Sequence, residues 1–122
     1  MQSIIDIVQA ESAVLKDARV THGEAVILTL KPNIEVKDAM PVIISDLERF
    51  MSKSTGKMYS HHRESYSNAY RIQEPGRMAY GVKVSEDLGK IIIRPIAILE
   101  DISLLRRYVQ RIRRFANPAE TK

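Results

Sequence analysis

Five arginines, Arg106, Arg107, Arg111, Arg113 and Arg114, fall close together near the C-terminus with no acidic residue between them. Guanidinium groups grip phosphate oxygens two at a time and stay charged at any working pH, so this stretch is the strongest sign of a polyanionic partner. Its competitor is the basic outer face of an ordinary surface helix. A second group surrounds the middle of the chain. Arg77 and Lys83 flank Ala79 and Gly81 along one strand, Arg71 and Arg94 border them, and Tyr66, Tyr70, His61 and His62 offer flat rings. Bases stack on rings while phosphates meet Lys and Arg, which is the chemistry of sequence-tolerant single-strand binding. The competing account packs the tyrosines under the helices with their hydroxyls at the rim. It is preferred for Tyr80, which shares an apolar face with Met78 and Val82.

His61, His62 and Glu64 raise a metal site or an acid–base pair. Consecutive residues on a strand point to opposite faces, however, so the histidines do not converge. No phosphate-binding glycine loop, nucleophile elbow or HExxH motif occurs, and Gly89-Lys90 lacks phosphate-loop spacing. No catalytic residue, metal ligand or cofactor is expected. The absence of cysteine removes disulfides, thiolate zinc and cysteine nucleophiles.

These residues need a scaffold, and 122 residues with 44% hydrophobic and 28% charged content suit one domain spanning 1–122. The net charge of +4 is uneven: residues 1–50 carry five Lys/Arg against eight Asp/Glu, and residues 51–122 carry fourteen against seven. One end should therefore attract polyanions. Neither a signal-like leader nor a membrane-length apolar run is visible, so a cytoplasmic protein without a membrane partner is expected.

Ser3 and Asp6 resemble a capping box, and Ile4, Val8, Glu11, Leu15 and Ala18 follow at helical spacing, which predicts a helix over 3–18. Residues 25–30 read as a buried strand closed by Lys31-Pro32-Asn33. Met40, Ile43, Ile44, Leu47, Phe50 and Met51 trace a second helix, capped by Asp38, with Pro41 in its first turn and Gly56 as its stop. Residues 52–65 read as a loop or a ragged strand start. Strands follow over 66–72, over 77–84 after a Pro75-Gly76 type II turn, and over 90–98, where Pro95 points to an edge or bulge. A last helix starts near Asp101 and stops at Asn117-Pro118. Its Ile102, Leu105, Val109 and Ile112 form a coiled-coil-like seam that predicts a homodimer. The fold class expected is α+β: a small antiparallel sheet of one N-terminal strand and a three-stranded meander, packed with about three helices.

This layout, with the Tyr/Arg meander of 66–94 and the basic helix 101–116, resembles the archaeal ThermoDBP-related single-stranded DNA-binding proteins. The resemblance implies a helix-packed sheet that cradles bases, helices that mediate dimerisation, and DNA ahead of RNA. The expectation is a non-catalytic single-strand binder using Tyr66, Tyr70, Arg71, Arg77, Lys83, Arg94, Arg107, Arg111 and Arg114. A module that binds an acidic protein partner is the alternative, and a small nuclease built on His61, His62 and Glu64 the third.

Overall fold

The Pro75-Gly76 pair turns the chain as its chemistry predicts. Gly76 takes φ +79°, and β4 (Tyr70–Glu74) returns antiparallel as β5 (Arg77–Asp87). A second tight turn at Leu88-Gly89, both at positive φ, pairs Asp87 with Lys90 and starts β6 (Lys90–Pro95). This meander continues through β6 onto β2 (Val26–Leu30), and β2 pairs in turn with β1 (Leu15–Val20). On the far side, β4 pairs with β3 (Ser60–Arg63), so the order is β1-β2-β6-β5-β4-β3 with every pair antiparallel. The computed structural model describes residues 14–21, 25–64, 69–96 and 99–116, with the backbone alone for 77–80, 99–101, 115 and 116.

Two helices, α1 (Val36–Thr55) and α2 (Leu99–Ala116), complete the described elements and pack on one face of the sheet. The α+β class stands, but the expected four strands and about three helices become six strands and two helices among the described residues. The expected helix over 3–18 is corrected over its last residues, because Val14 is helical but Leu15–Val20 is a strand; residues 3–13 lie outside the described residues. A bulge explains the misreading. Leu15 pairs with Leu30 and Asp17 with Thr29, so Lys16 is an extra residue and both Leu15 and Ala18 reach the core. Their three-residue spacing imitates a helix. Of the loop or ragged strand start expected over 52–65, residues 52–55 end α1 and 60–63 form an edge strand exposed at every position, whose Ser-His-His-Arg sequence carries no apolar alternation.

Pro95 does not mark an edge. β6 lies between β2 and β5, and Pro95 is its last residue, past the Ile91–Ile93 segment that pairs with β2. α1 begins one turn earlier than expected, so Pro41 is its sixth residue and Asp38 sits in the first turn, where its charge suits the helix dipole. Gly56 ends it in the left-handed region and donates its N–H to Ser52 O at 2.9 Å.

The core lies between the layers. Ala39, Met40, Ile43, Ile44, Leu47 and Met51 of α1 and Leu104, Leu105, Tyr108, Val109 and Ile112 of α2 cover Val26, Leu28, Ile72, Val82, Val84, Ile91 and Ile93 of the sheet. Leu105, Val109 and Ile112, expected at a subunit interface, are thus buried against their own sheet, and Ile102 is half-buried. Three-four spacing served the usual purpose of seating a helix on a sheet. Among the described residues no helix is long and apolar enough to cross a membrane.

Candidate nucleic-acid interface

Alternation places Tyr70 and Ile72 of β4, Val82, Val84 and Glu86 of β5, and Ile91 and Ile93 of β6 on the helix-packed face. The residues between them face the other way. Register then does what local sequence cannot: His62 pairs with Arg71, Arg71 with Lys83, and Lys83 with Arg94. One transverse row of four basic side chains therefore crosses β3, β4, β5 and β6 on the face opposite the helices. At the usual spacing between strands the row is about 14 Å long. His62 and Arg94 are exposed, and Arg71 and Lys83 are half-buried.

Like charges directly opposite on neighbouring strands repel. Glu64, just past β3, answers part of that repulsion: its Oε1 accepts from Arg71 Nε at 2.8 Å and its Oε2 lies 3.4 Å from Lys83 Nζ. Among the described residues no carboxylate pairs with Arg94. Beside the row, Gln73 is 7% exposed and its Oε1 has no hydrogen-bond partner among the described residues.

Gly81 fixes the approach of β5 to β4. It sits at φ +138°, and a Cβ there would lie 2.1 Å from Ile72 O. Just before it β5 bulges, since Glu74 pairs with Arg77 but Gln73 pairs with Gly81, and the described side chains alternate from Val82 onward. The bulge separates Arg77 from the register of Lys83, and the Arg77 side chain is not described.

The other expected residues scatter. Tyr66 lies outside the described residues. Tyr70 faces the helices, half-buried against the core, where with Val36, Lys37, Met40, Pro41, Arg63 and Glu86 it lines a cavity of about 280 Å³. It shares no face with Arg71, Lys83 and Arg94, so the fold does not bring this ring and those cations together.

Arg111, expected at a phosphate contact, lies against α1. Its Nη2 donates to Asp46 Oδ1 at 2.9 Å, and the guanidinium lies 5.2 Å from the Phe50 ring centroid and 5.7 Å from that of Tyr108. Tyr108 OH donates to Asp46 Oδ2 at 2.8 Å. Burial pushes the Asp46 carboxyl above its ordinary range although Arg111, Tyr108 and Arg49 pull it down. Burial, with the Asp46 charge beside it, lifts the Tyr108 hydroxyl well above 10. This trio of buried Asp46 and Tyr108 and partly buried Arg111 joins α1 to α2 and fixes how α2 is rotated, leaving Arg107 and Arg114 exposed on its outer side.

His61 and His62 point to opposite faces: His61 Nδ1 bonds Glu48 of α1, while His62 joins the basic row. Glu64 is held by Arg71 and Lys83, so the three proposed nuclease residues form no cluster. Among the described residues no group of His, Asp and Glu has metal-binding geometry. Sequence reading missed that His62 belongs to the basic row and that Glu64 pairs with its Arg71 and Lys83, because both follow only from register. Compared with protein-family models, curated proteins and solved structures, the chain matches none.

Proposed function

We propose that this protein is a non-catalytic, cytoplasmic binder of single-stranded nucleic acid that holds the phosphate backbone across the sheet face opposite its helices. The observation that carries the reading is the transverse row of His62, Arg71, Lys83 and Arg94. A row of about 14 Å is long enough to meet more than one phosphate of a single strand. Glu64 does not stand in the way. A phosphate that takes the place of its carboxylate keeps Arg71 and Lys83 paired with an anion. DNA is preferred to RNA on the resemblance to the ThermoDBP-related proteins.

Fluorescence anisotropy with single-stranded DNA, RNA and duplex DNA across a salt series tests the reading. Contacts from Arg71, Lys83 and Arg94 give a slope of log K on log salt of about −2, at roughly −0.7 per phosphate on a single strand. Lys83→Ala and Arg94→Ala should each weaken all sequences alike and flatten the slope by about 0.7. Glu64→Gln should tighten binding, because it removes the competing anion from between two cations. Weaker binding in Glu64→Gln, or no oligonucleotide binding at low salt, would overturn the reading in favour of an acidic protein partner or a nuclease.

A further inference from the structure

The sheet row is not the molecule's only basic surface. Over residues 102–114, the part of α2 whose side chains are described, the exposed positions are Ser103, Arg106, Arg107, Gln110, Arg113 and Arg114, four arginines and no carboxylate. Among the described residues none of Arg107, Arg113 and Arg114 makes an ion pair. The outer face of α1 differs, since it mixes Lys37, Asp38, Arg49 and Lys53. The buried Asp46–Arg111–Tyr108 contacts fix the rotation of α2, and its apolar side is occupied by the core. Its arginines therefore point away from the sheet.

The sheet row points the opposite way, from the other side of the same two layers. An α-helix is about 10–12 Å across, so the two surfaces stand roughly 15–20 Å apart, about two Debye lengths at physiological salt. At that separation each attracts its own polyanion with little effect on the other. We propose that the protein bridges two segments of single-stranded nucleic acid, one on the His62–Arg71–Lys83–Arg94 row and one on the Arg107–Arg113–Arg114 face of α2. The inference rests on the reading of the sheet row as a nucleic-acid surface.

Energy transfer between two non-complementary oligothymidylates, one carrying a donor and one an acceptor, reads bridging directly. Oligomers on the order of ten nucleotides are the size that one compact binding surface holds. Transfer should rise to a maximum near one protein per two oligonucleotides and fall again with excess protein, as each strand then occupies a separate molecule. Arg107→Glu with Arg114→Glu, and separately Lys83→Glu with Arg94→Glu, should each abolish transfer while keeping binding of one strand by anisotropy. These residues are exposed or half-exposed, so circular dichroism should match the wild type.

A binding stoichiometry of one strand, or wild-type transfer in the α2 variant, overturns the bridge while leaving the sheet site standing. Wild-type binding in the sheet variant together with complete loss in the α2 variant overturns both, and leaves α2 as the sole surface.

Discussion

Two residues do more for this molecule than their types announce. Gly81 takes φ +138° with the Ile72 carbonyl where a Cβ would stand, so β4 and β5 close only around a glycine. Gly81→Ala should cost at least about 1–3 kcal/mol in urea unfolding, because both the backbone angle and the contact must give. A change below about 0.5 kcal/mol, the range of an ordinary surface substitution, would show that the strands separate freely there. Tyr108 is the other. Its hydroxyl is held well above 10 by burial and by Asp46, so the folded state keeps its proton where the unfolded state releases it. That stabilisation is complete below about pH 10 and is lost as pH rises toward the folded value. Tyr108→Phe gives up the bond to Asp46, costing about 1.5–3 kcal/mol at neutral pH, and should lose less stability than the wild type above pH 10. Equal alkaline losses in both proteins, read from urea midpoints, would place the sensitive group elsewhere.

At the scale of elements, α2 has two jobs on two sides. Its apolar side, including Leu105 at 2% exposure, closes the core, and its outer side carries the arginines. Leu105→Ala should remove about 2–5 kcal/mol of stability by opening a cavity. Since Leu105 faces this chain's own sheet, the mass measured by light scattering should stay that of the wild type. A folded variant of normal stability but smaller mass would restore the subunit seam. α1 shows a similar division. Its apolar stripe enters the core, while Glu48 reaches the His61 ring of the edge strand β3. A four-residue strand exposed at every position is tied to the helical layer by that bond.

The whole molecule combines near and distant pairings. β3 to β6 form a meander of sequence neighbours, whereas β2 must find β6 across about sixty residues. Closing a long loop carries an entropy cost that local hairpins avoid, so the meander should form first and β1–β2 dock later. Val84→Ala, at the middle of β5, should therefore slow folding, and Val26→Ala should chiefly speed unfolding. Stopped-flow chevrons separate the two, and a slower folding limb for Val26→Ala with an unchanged one for Val84→Ala would reverse the order.

Sequence alone determined the α+β class, strands β2, β5 and β6, the Pro75-Gly76 turn, the course of α1 with its Gly56 stop, and α2. Each of these is written in a local period or a turn residue that no distant contact overrides. It also determined that His61 and His62 part company, because alternation is a property of any strand. It missed β1, where a bulge turned a strand's period of two into a helix-like three, and it left β3 open as a loop or a ragged strand start, because an edge strand with no buried face leaves no pattern. Only the tertiary structure decided which cations stand together. Arg71, Lys83 and Arg94 share one row with His62, Tyr70 turns to the helices, Arg111 sinks onto Asp46, and Leu105 meets its own sheet. Register and layer packing bring together residues far apart in sequence, and a residue's own neighbours in the chain carry no record of that pairing.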